Sequence, residues 1–183
     1  MRQLKFHEKK LLKKVDFFSW KAEKNVREAS IIRKYLLLDR EDYTKYHLIV
    51  GSITSLCSKL SKLPQSDPTR KQLSESLLSK LYNMGIIRDT SNLTAIEHLS
   101  VSSFCRRRLP VLMVRLKMSE TLKEATTFIQ QGQVRVGPHV ITDPAFLVTK
   151  TFEDYITWVD SSKIKRAIMK YNDRLDDFDL LGN

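Results

Sequence analysis

Basic side chains are the feature of residues 104–149 most suited to chemistry with a polyanion. The candidate cations of this stretch are Arg106, Arg107, Arg108, Arg115, Lys117 and Arg135. A guanidinium group bridges two phosphate oxygens and stacks on an exposed base, so the cluster predicts contact with a nucleic-acid backbone. On charge alone, a solvated helix start is the alternative. Cations at a helix N-terminus oppose the macrodipole, however, and a bound polyanion would compensate them.

The spacing of apolar residues predicts two consecutive helices that position these cations. The face of the first consists of Leu109, Leu112, Met113 and Leu116, and the face of the second of Leu122, Ala125, Thr126 and Ile129. Steps of three and four residues place each set on one side of a helix. Thr121 and Glu124 have the spacing of a capping box, and Gly132 stands where a left-handed residue ends a helix.

A small hairpin is predicted to follow the second helix. Val134 and Val136 alternate with polar residues, as in a half-buried strand, so Arg135 would point away from the valines. Residues 137–139 have turn chemistry, and residues 140–141 are predicted to return as the second strand. A unit of two helices and a hairpin is too small to bury its polar faces, so we expect its cations on the outside.

These residues resemble the alpha-L RNA-binding motif, which is typified by ribosomal small-subunit protein four. The resemblance is carried by residues 107–116, Ala125, Ile129, Gly132, residues 134–136 and Val148. The flanking segments resemble the U3 small nucleolar ribonucleoprotein members of that family, and these segments are residues 4–20, 40–46, 157–166 and 176–180. Many members carry His where Gln133 stands here. Both side chains donate hydrogen bonds, so Gln133 joins the candidate RNA contacts.

The resemblance implies a function as well as a fold. It implies a non-catalytic RNA-binding assembly factor of the small-subunit processome, located in the nucleolus of the nucleus. Such a factor binds U3 small nucleolar RNA and pre-ribosomal RNA and promotes their pairing for 18S rRNA maturation. An acidic scaffold protein of the processome is implied as a partner within a large ribonucleoprotein complex. Two alternatives stay open: a structural small-subunit ribosomal protein of the same family, and a protein-interaction adaptor of a ribonucleoprotein.

Chain length limits the number of domains, and net charge indicates the class of partner. The 183 residues allow one large domain or two small ones. We predict an α+β fold with a helical body at 1–100, the alpha-L motif at 101–151 and a C-terminal extension at 152–183 that packs on the body. The net charge of +11 indicates a polyanionic partner. Residues 1–60 carry 14 basic and 7 acidic groups and the motif carries 8 and 3, whereas the extension carries 5 and 7.

The N-terminal block is predicted to be a basic amphipathic helix. Its candidate RNA contacts are Lys9, Lys10, Lys13 and Lys14. Such a helix binds RNA, a partner groove or a membrane surface; alternatively, Leu11, Val15 and Phe18 pack on the body while the lysines face water. A membrane role is disfavoured because the chain offers no second anchor and no apolar run of bilayer length. We therefore expect a soluble intracellular protein.

Two long helices are predicted to form the body as antiparallel neighbours. The first covers residues 41–62, and its buried stripe is predicted to be Tyr46, Ile49, Ile53, Leu56, Leu60 and Leu63. The second starts at Asp67 and Pro68, ends on Gly85 and carries Leu73, Leu77, Leu78 and Leu81. Beyond the motif, residues 152–158 are expected to form a strand that returns to the body, ahead of a last basic helix face.

Nothing in the sequence recommends catalysis. The four histidines lie in separate segments without metal-ligand spacing, and the five glycines are scattered singly rather than gathered in a phosphate-binding loop. Cys57 and Cys105 are isolated thiols, which we expect to be small buried side chains in a reducing compartment. We therefore expect no metal site, no cofactor and no enzymatic activity.

Overall fold

The computed structural model describes residues 2–14 and 22–174. The helices in these ranges are α1 (Phe6–Lys14), α2 (Ala22–Tyr35), α3 (Arg40–Ser61), α4 (Pro68–Asn83), α5 (Thr94–Glu97), α6 (Val101–Cys105), α7 (Leu109–Arg115), α8 (Leu122–Gln130) and α9 (Lys163–Tyr171). The strands are β1 (Val134–Val136), β2 (His139–Val140) and β3 (Ile156–Trp158), and a 3-10 turn covers Glu153–Tyr155. Helices with one small sheet confirm the predicted α+β class. None of the described helices has the length and apolar character needed to cross a membrane.

Helices α3 and α4 form the frame of the body. The Asp67 side chain caps α4 by accepting a hydrogen bond from the Thr69 amide at 3.0 Å, and Pro68 takes the first turn as predicted. The core around this frame contains Tyr35, Leu37, Tyr46, Cys57, Leu78, Leu81, Ile87, Ile96, Leu99, Val101, Phe104 and Cys105. The rings of Tyr46 and Phe104 stack with centroids 5.9 Å apart. This stacking packs α3 against α6, the helix that directly precedes Arg106, Arg107 and Arg108.

The buried face of α3 is offset from the predicted stripe. Ile49 and Leu56 are exposed, as is Leu63 beyond the helix end, so the prediction is wrong for these three residues. The side chains that face the core are Tyr43, Tyr46, Val50, Ile53, Cys57 and Leu60. Both sets have helical spacing, and the packing of α5 and α6 against α3 decides between them. Of the leucines carried by α4, Leu78 and Leu81 are buried and Leu73 is exposed.

A second core lies within the motif, where α7 packs on α8. Its buried members are Leu109, Leu112, Met113, Ala125, Ile129, Val134, Val136, Val148 and Ile156. The capping box of Thr121 and Glu124 forms as predicted, and Gly132 is left-handed with φ of 68°. Leu116 was expected to be buried, but it is exposed because α7 ends at Arg115. Lys117 then turns the chain with a left-handed φ of 60°.

The three strands form an antiparallel sheet in the order β2-β1-β3. The return strand starts one residue earlier than predicted, since His139 pairs with Val136. A larger correction concerns β3, which we expected to return to the body. It pairs with β1 instead, placing Ile156 opposite Val136 and inside the core of the motif. Residues 156–158 therefore belong to the sheet of the motif.

Candidate nucleic-acid interface

Arg107 lies between the helical body and the motif, where protein groups surround its guanidinium. The side chain is 8% exposed. Its Nε and Nη2 donate to the Val148 carbonyl oxygen at 3.1 and 2.9 Å, and its Nη1 lies 2.8 Å from Oε2 of Glu153. Burial lowers the pKa of the Arg107 guanidinium, which nevertheless remains charged at neutral pH. In the described structure, the Arg107 guanidinium therefore has no free pair of N–H donors for a phosphate.

Arg108 is buried even more completely, with 2% of its side chain exposed. Its Nη1 lies 2.8 Å from Oδ2 of Asp42, which stands in the first turn of α3. The Arg108 backbone forms a bridge with Leu147, next to the hydrogen bond from the Leu109 amide to the Phe146 carbonyl oxygen. Removing one partner of a buried pair leaves an uncompensated charge, so this contact fastens the motif to α3.

Gly85 allows the body to approach Arg107 closely. It has a φ of 70°, and a Cβ placed on it would lie 2.8 Å from the Arg107 Cζ atom. Next to it, the Lys150 amide donates to the Asn83 carbonyl oxygen at 2.9 Å. We call the set of contacting residues Arg107, Arg108, Asp42, Gly85, Val148 and Glu153 the junction. Both sides of the junction meet within hydrogen-bonding distance, so it fixes how the motif sits on the body.

The expectation that Arg107 and Arg108 lie on an outer polar face is therefore wrong. The arginines precede α7 rather than opening it, and their carboxylate partners are distant in the chain. Asp42 is 66 residues before Arg108, and Glu153 is 46 residues after Arg107. Local spacing contains no information about such partners.

Four of the predicted cations stay at the surface of the motif, and we call them the outer cations: Arg106, Arg115, Lys117 and Arg135. Arg106 is exposed, and its Nε donates a long hydrogen bond of 3.4 Å to the Tyr35 hydroxyl. Arg115 is 58% exposed, and its Nη2 contacts Oε1 of Glu153. Lys117 is exposed and makes no ion pair with any described residue. Arg106, Arg115 and Lys117 are exposed, and contact of the outer cations with phosphate stays a prediction.

Arg135 is partly engaged by its own sheet and by the segment after β3. Its Nε donates to Oγ1 of Thr157 at 3.0 Å, and its Nη1 lies 2.7 Å from Oδ2 of Asp160. Asp160 also contacts Lys165 of α9, and the Lys165 hydrogen bond together with the Arg135 charge lowers the pKa of Asp160. Gln133 is half-buried, and its side chain makes no hydrogen bond within the described part of the chain.

Helix α1 carries the other predicted contacts. Lys9, Lys10 and Lys13 are exposed, and Lys14 ends the helix, although its side chain falls outside the description. Leu11 is exposed and does not pack on the body. The alternative in which Leu11, Val15 and Phe18 pack on the body is therefore wrong for Leu11. The other residues of that alternative, Val15 and Phe18, lie outside the described residues, as does the acidic end at 176–180.

Two family models match the chain in succession. The model described as "Ribosomal protein S4/S9 N-terminal domain" matches residues 3–106, and the model described as "S4 domain" matches residues 107–153. The boundary between the two models falls between Arg106 and Arg107. The boundary therefore separates Arg106, an outer cation, from Arg107, which belongs to the junction.

Three relatives match almost from end to end. The U3 small nucleolar ribonucleoprotein protein IMP3 of Saccharomyces cerevisiae is 52% identical over 98% of both chains. Its counterparts of the same name in Mus musculus and Homo sapiens are 50% and 49% identical over 98% of both chains. The chain belongs to the IMP3 family of U3 small nucleolar ribonucleoprotein proteins. The small ribosomal subunit protein uS4 of Picrophilus torridus is more distant, at 26% identity over 78% of this chain and 79% of its own.

Membership in the IMP3 family confirms the resemblance drawn from the motif and its flanks. In this family member, no group of His, Cys, Asp and Glu among the described residues is arranged to hold a metal ion. Cys57 and Cys105 are buried free thiols, as predicted, and burial raises the pKa of the Cys105 thiol to about 11. At neutral pH it is a protonated group that packs as a small apolar side chain.

Sequence reasoning missed the carboxylates and the glycine of the junction. One local signal points to them. Residues 109–114 contain no ionisable side chain. An arginine directly before such an apolar segment is expected to be buried with it and then needs a buried partner for its charge. That argument predicts that a partner exists, but it does not identify Asp42 or Glu153.

Proposed function

We propose that this chain is a non-catalytic RNA-binding assembly factor of the small-subunit processome. Its role in the proposal is to promote the pairing of U3 small nucleolar RNA with pre-ribosomal RNA for 18S rRNA maturation. The observation that carries the proposal is 52% identity, over 98% of both chains, to a protein named for the U3 small nucleolar ribonucleoprotein. Similarity on this scale includes the motif, the body and the N-terminal helix together.

The distribution of charge supports a mechanism of this kind. Two RNA strands repel each other through their phosphates, and a protein that neutralises both lowers the cost of bringing them together. The outer cations supply one basic surface, and the exposed lysines of α1 supply another. The junction holds the motif firmly on the body, so phosphate contacts made by the outer cations would be positioned rather than diffuse. The mechanism requires no nucleotide hydrolysis.

The proposal divides the candidate contacts by their surroundings. Phosphate contacts are assigned to the outer cations and to Lys9, Lys10, Lys13 and Lys14 of α1. Gln133 is assigned a hydrogen bond to ribose or a base, because its side-chain amide has no protein partner among the described residues. Arg107 and Arg108 are assigned to the junction, where their hydrogen bonds keep the outer cations in place.

The same proposal includes a protein partner and a place in the cell. The net charge of +11 suits an acidic scaffold protein of the processome as well as RNA. Helix α1 exposes Phe6, Leu11 and Leu12, which offer apolar contacts to such a partner. The proposal includes assembly into a large ribonucleoprotein complex in the nucleolus, and the U3 particle for which the relatives are named supports it.

The proposal is tested by measuring duplex formation between two short complementary RNAs, with and without the purified chain. We expect faster pairing at low salt and a loss of the effect at high salt. A variant with Arg106, Arg115 and Lys117 all replaced by Gln should lose most of the acceleration while unfolding at the wild-type temperature. No acceleration by the wild-type chain at low salt would contradict the proposal and favour the protein-interaction adaptor.

A structural ribosomal protein is the nearer alternative, and the uS4 relatives are the observation in its favour. They are 24–26% identical over 78–79% of the chain, against about 50% for the U3 proteins. The two functions differ in the particle that contains the protein. Sedimentation of a cell extract should place the chain in large precursor particles, whereas a ribosomal protein would sediment with mature 40S subunits.

A further inference from the structure

A groove of about 700 Å³ lies between the end of α4 and the segment that follows Val148. Its α4 wall carries Ser76, Ser79, Lys80 and Asn83, and its opposite wall ends on Phe152. The volume falls within the range in which proteins bind small molecules and single nucleotides. The groove borders the junction, but none of the ion pairs of the junction uses its side chains.

The polar groups on the α4 wall have no partners in the described structure. The hydroxyls of Ser76 and Ser79, the side-chain amide of Asn83 and the ammonium of Lys80 make neither hydrogen bonds nor ion pairs with described residues. Among the residues that the structure describes, no Asp or Glu lines the groove. The groove thus offers a cation, an amide and hydroxyl groups to a ligand, and it offers no carboxylate that would repel an anion.

Phe152 adds an aromatic surface to this polar wall. Phe152 is 47% exposed, although burial of a phenylalanine side chain usually stabilises a protein. The next residue, Glu153, contacts Arg115 of the outer cations. The groove therefore lies directly beside the surface that the proposed function assigns to RNA phosphates.

We propose that this groove binds one unpaired nucleotide of the RNA that the outer cations hold. The base stacks on Phe152, the Asn83 amide bonds to the edge of the base, and Lys80 contacts the phosphate. Aromatic stacking combined with hydrogen bonds to an exposed edge is how proteins recognise single-stranded RNA. A base pair inside a duplex has no free face, so the groove distinguishes unpaired from paired RNA. The inference rests on the proposed RNA-binding function and names a subsite for it.

The test compares the binding of two probes to the full chain: a fluorescent single-stranded 12-nucleotide oligoadenylate and a 12-base-pair RNA duplex. Phe152→Leu should weaken binding of the single strand about fivefold or more and leave duplex binding within about twofold, because stacking acts only on free bases. Asn83→Ala should act in the same direction. Lys80→Gln should reduce the slope of log affinity against log salt for the single strand by about 0.7.

Tyr155→Leu is the matched control, since Tyr155 is an exposed aromatic residue three positions away that does not line the groove. It should leave both affinities unchanged, and thermal unfolding of all variants should match the wild type. Failure of the wild-type chain to bind either RNA would overturn the proposed function itself. Equal effects of Phe152→Leu and Tyr155→Leu, or unchanged binding of the oligoadenylate by Phe152→Leu, would overturn the groove inference alone.

Discussion

Arg107 and Arg108 of the junction are almost fully buried and each contacts a carboxylate, whereas Arg106 and Arg115, which flank them in the chain, are exposed. The residue type is the same in both regions, but the surroundings differ. In the junction, the guanidinium groups donate hydrogen bonds to protein oxygens, so their charge contributes to the fold. Among the outer cations, Arg106, Arg115 and Lys117 are exposed, so their charge can reach a polyanion.

The difference shows that a run of adjacent arginines is not one functional unit. The backbone leaves α6 at Cys105 and enters α7 at Leu109, and this turn aims neighbouring side chains in different directions. Glu153 links the two regions, because one carboxylate contacts both Arg107 and Arg115. Substitutions on either side should therefore separate effects on stability from effects on RNA binding.

Removing the carboxylate from the Arg108 pair should have the largest effect. Asp42→Ala leaves the Arg108 side chain, which is 2% exposed, without a counter-charge, and we expect a loss of about 3–5 kcal/mol in the free energy of unfolding. Urea denaturation followed by circular dichroism measures this loss. Glu41→Ala is the control, because Glu41 is the adjacent exposed carboxylate on α3, and it should cost less than about 1 kcal/mol. Equal losses for the two variants would contradict a role for the buried pair.

Gly85 and Gly51 should respond in opposite directions to the same substitution. Gly85→Ala places a Cβ at φ of 70° and 2.8 Å from Arg107, so we expect destabilisation of about 1–3 kcal/mol. Gly51 lies within α3 with no atom near its would-be Cβ, and Gly51→Ala should stabilise by about 0.5–1 kcal/mol. The melting temperatures of the two variants measure the contrast. Stabilisation by Gly85→Ala would show that the close approach of Arg107 is absent in solution.

Neutralising outer cations should change RNA binding without changing stability. The double variant Arg115→Gln with Lys117→Gln removes two proposed phosphate contacts, which should reduce the slope of log affinity against log salt by about 1.4–1.8. The pair Lys59→Gln with Lys62→Gln on the body alters the net charge equally and serves as the control. Fluorescence anisotropy over a salt series gives both slopes. The same reduction in both variants would mean that only overall charge matters.

Glu153→Gln should have the smallest effect on binding, and it should affect both the junction and the outer cations. Removing the negative charge beside Arg115 should strengthen RNA binding by about two- to fivefold, while the weakened contact with Arg107 lowers the melting temperature. Asp154→Asn makes the same charge change at an exposed residue without an ion pair among the described residues. If Asp154→Asn strengthens binding equally, the contact between Glu153 and Arg115 does not restrain Arg115.

Local patterns predicted the elements of the motif because those elements depend on neighbours in the chain. The capping box of Thr121 and Glu124 and the left-handed Gly132 are interactions over a few residues, and both form. The pairing of β3 with β1 was not predictable in this way, because a strand of three residues specifies no partner. The offset of the buried face of α3 has a similar cause: two adjacent stripes were apolar, and distant helices selected one of them.

For the candidate site, residue type indicated the class of ligand but not which side chains are free to bind it. Arg106, Arg115 and Lys117 are exposed as expected, and this exposure follows from the size of a two-helix unit. The burial of Arg107 and Arg108 depends on Asp42 and Glu153, which are 66 and 46 residues from their respective partners. Tertiary contacts over such separations cannot be derived from spacing in one sequence.

The salt dependence of RNA binding tests the central claim most directly, namely that exposed cations of a firmly held motif and of α1 neutralise RNA phosphates. The affinity of the full chain for a short RNA duplex should be measured from low to physiological salt. If about six phosphates are neutralised, log affinity should fall against log salt with a slope of about −4 to −5. A slope near zero would contradict the account.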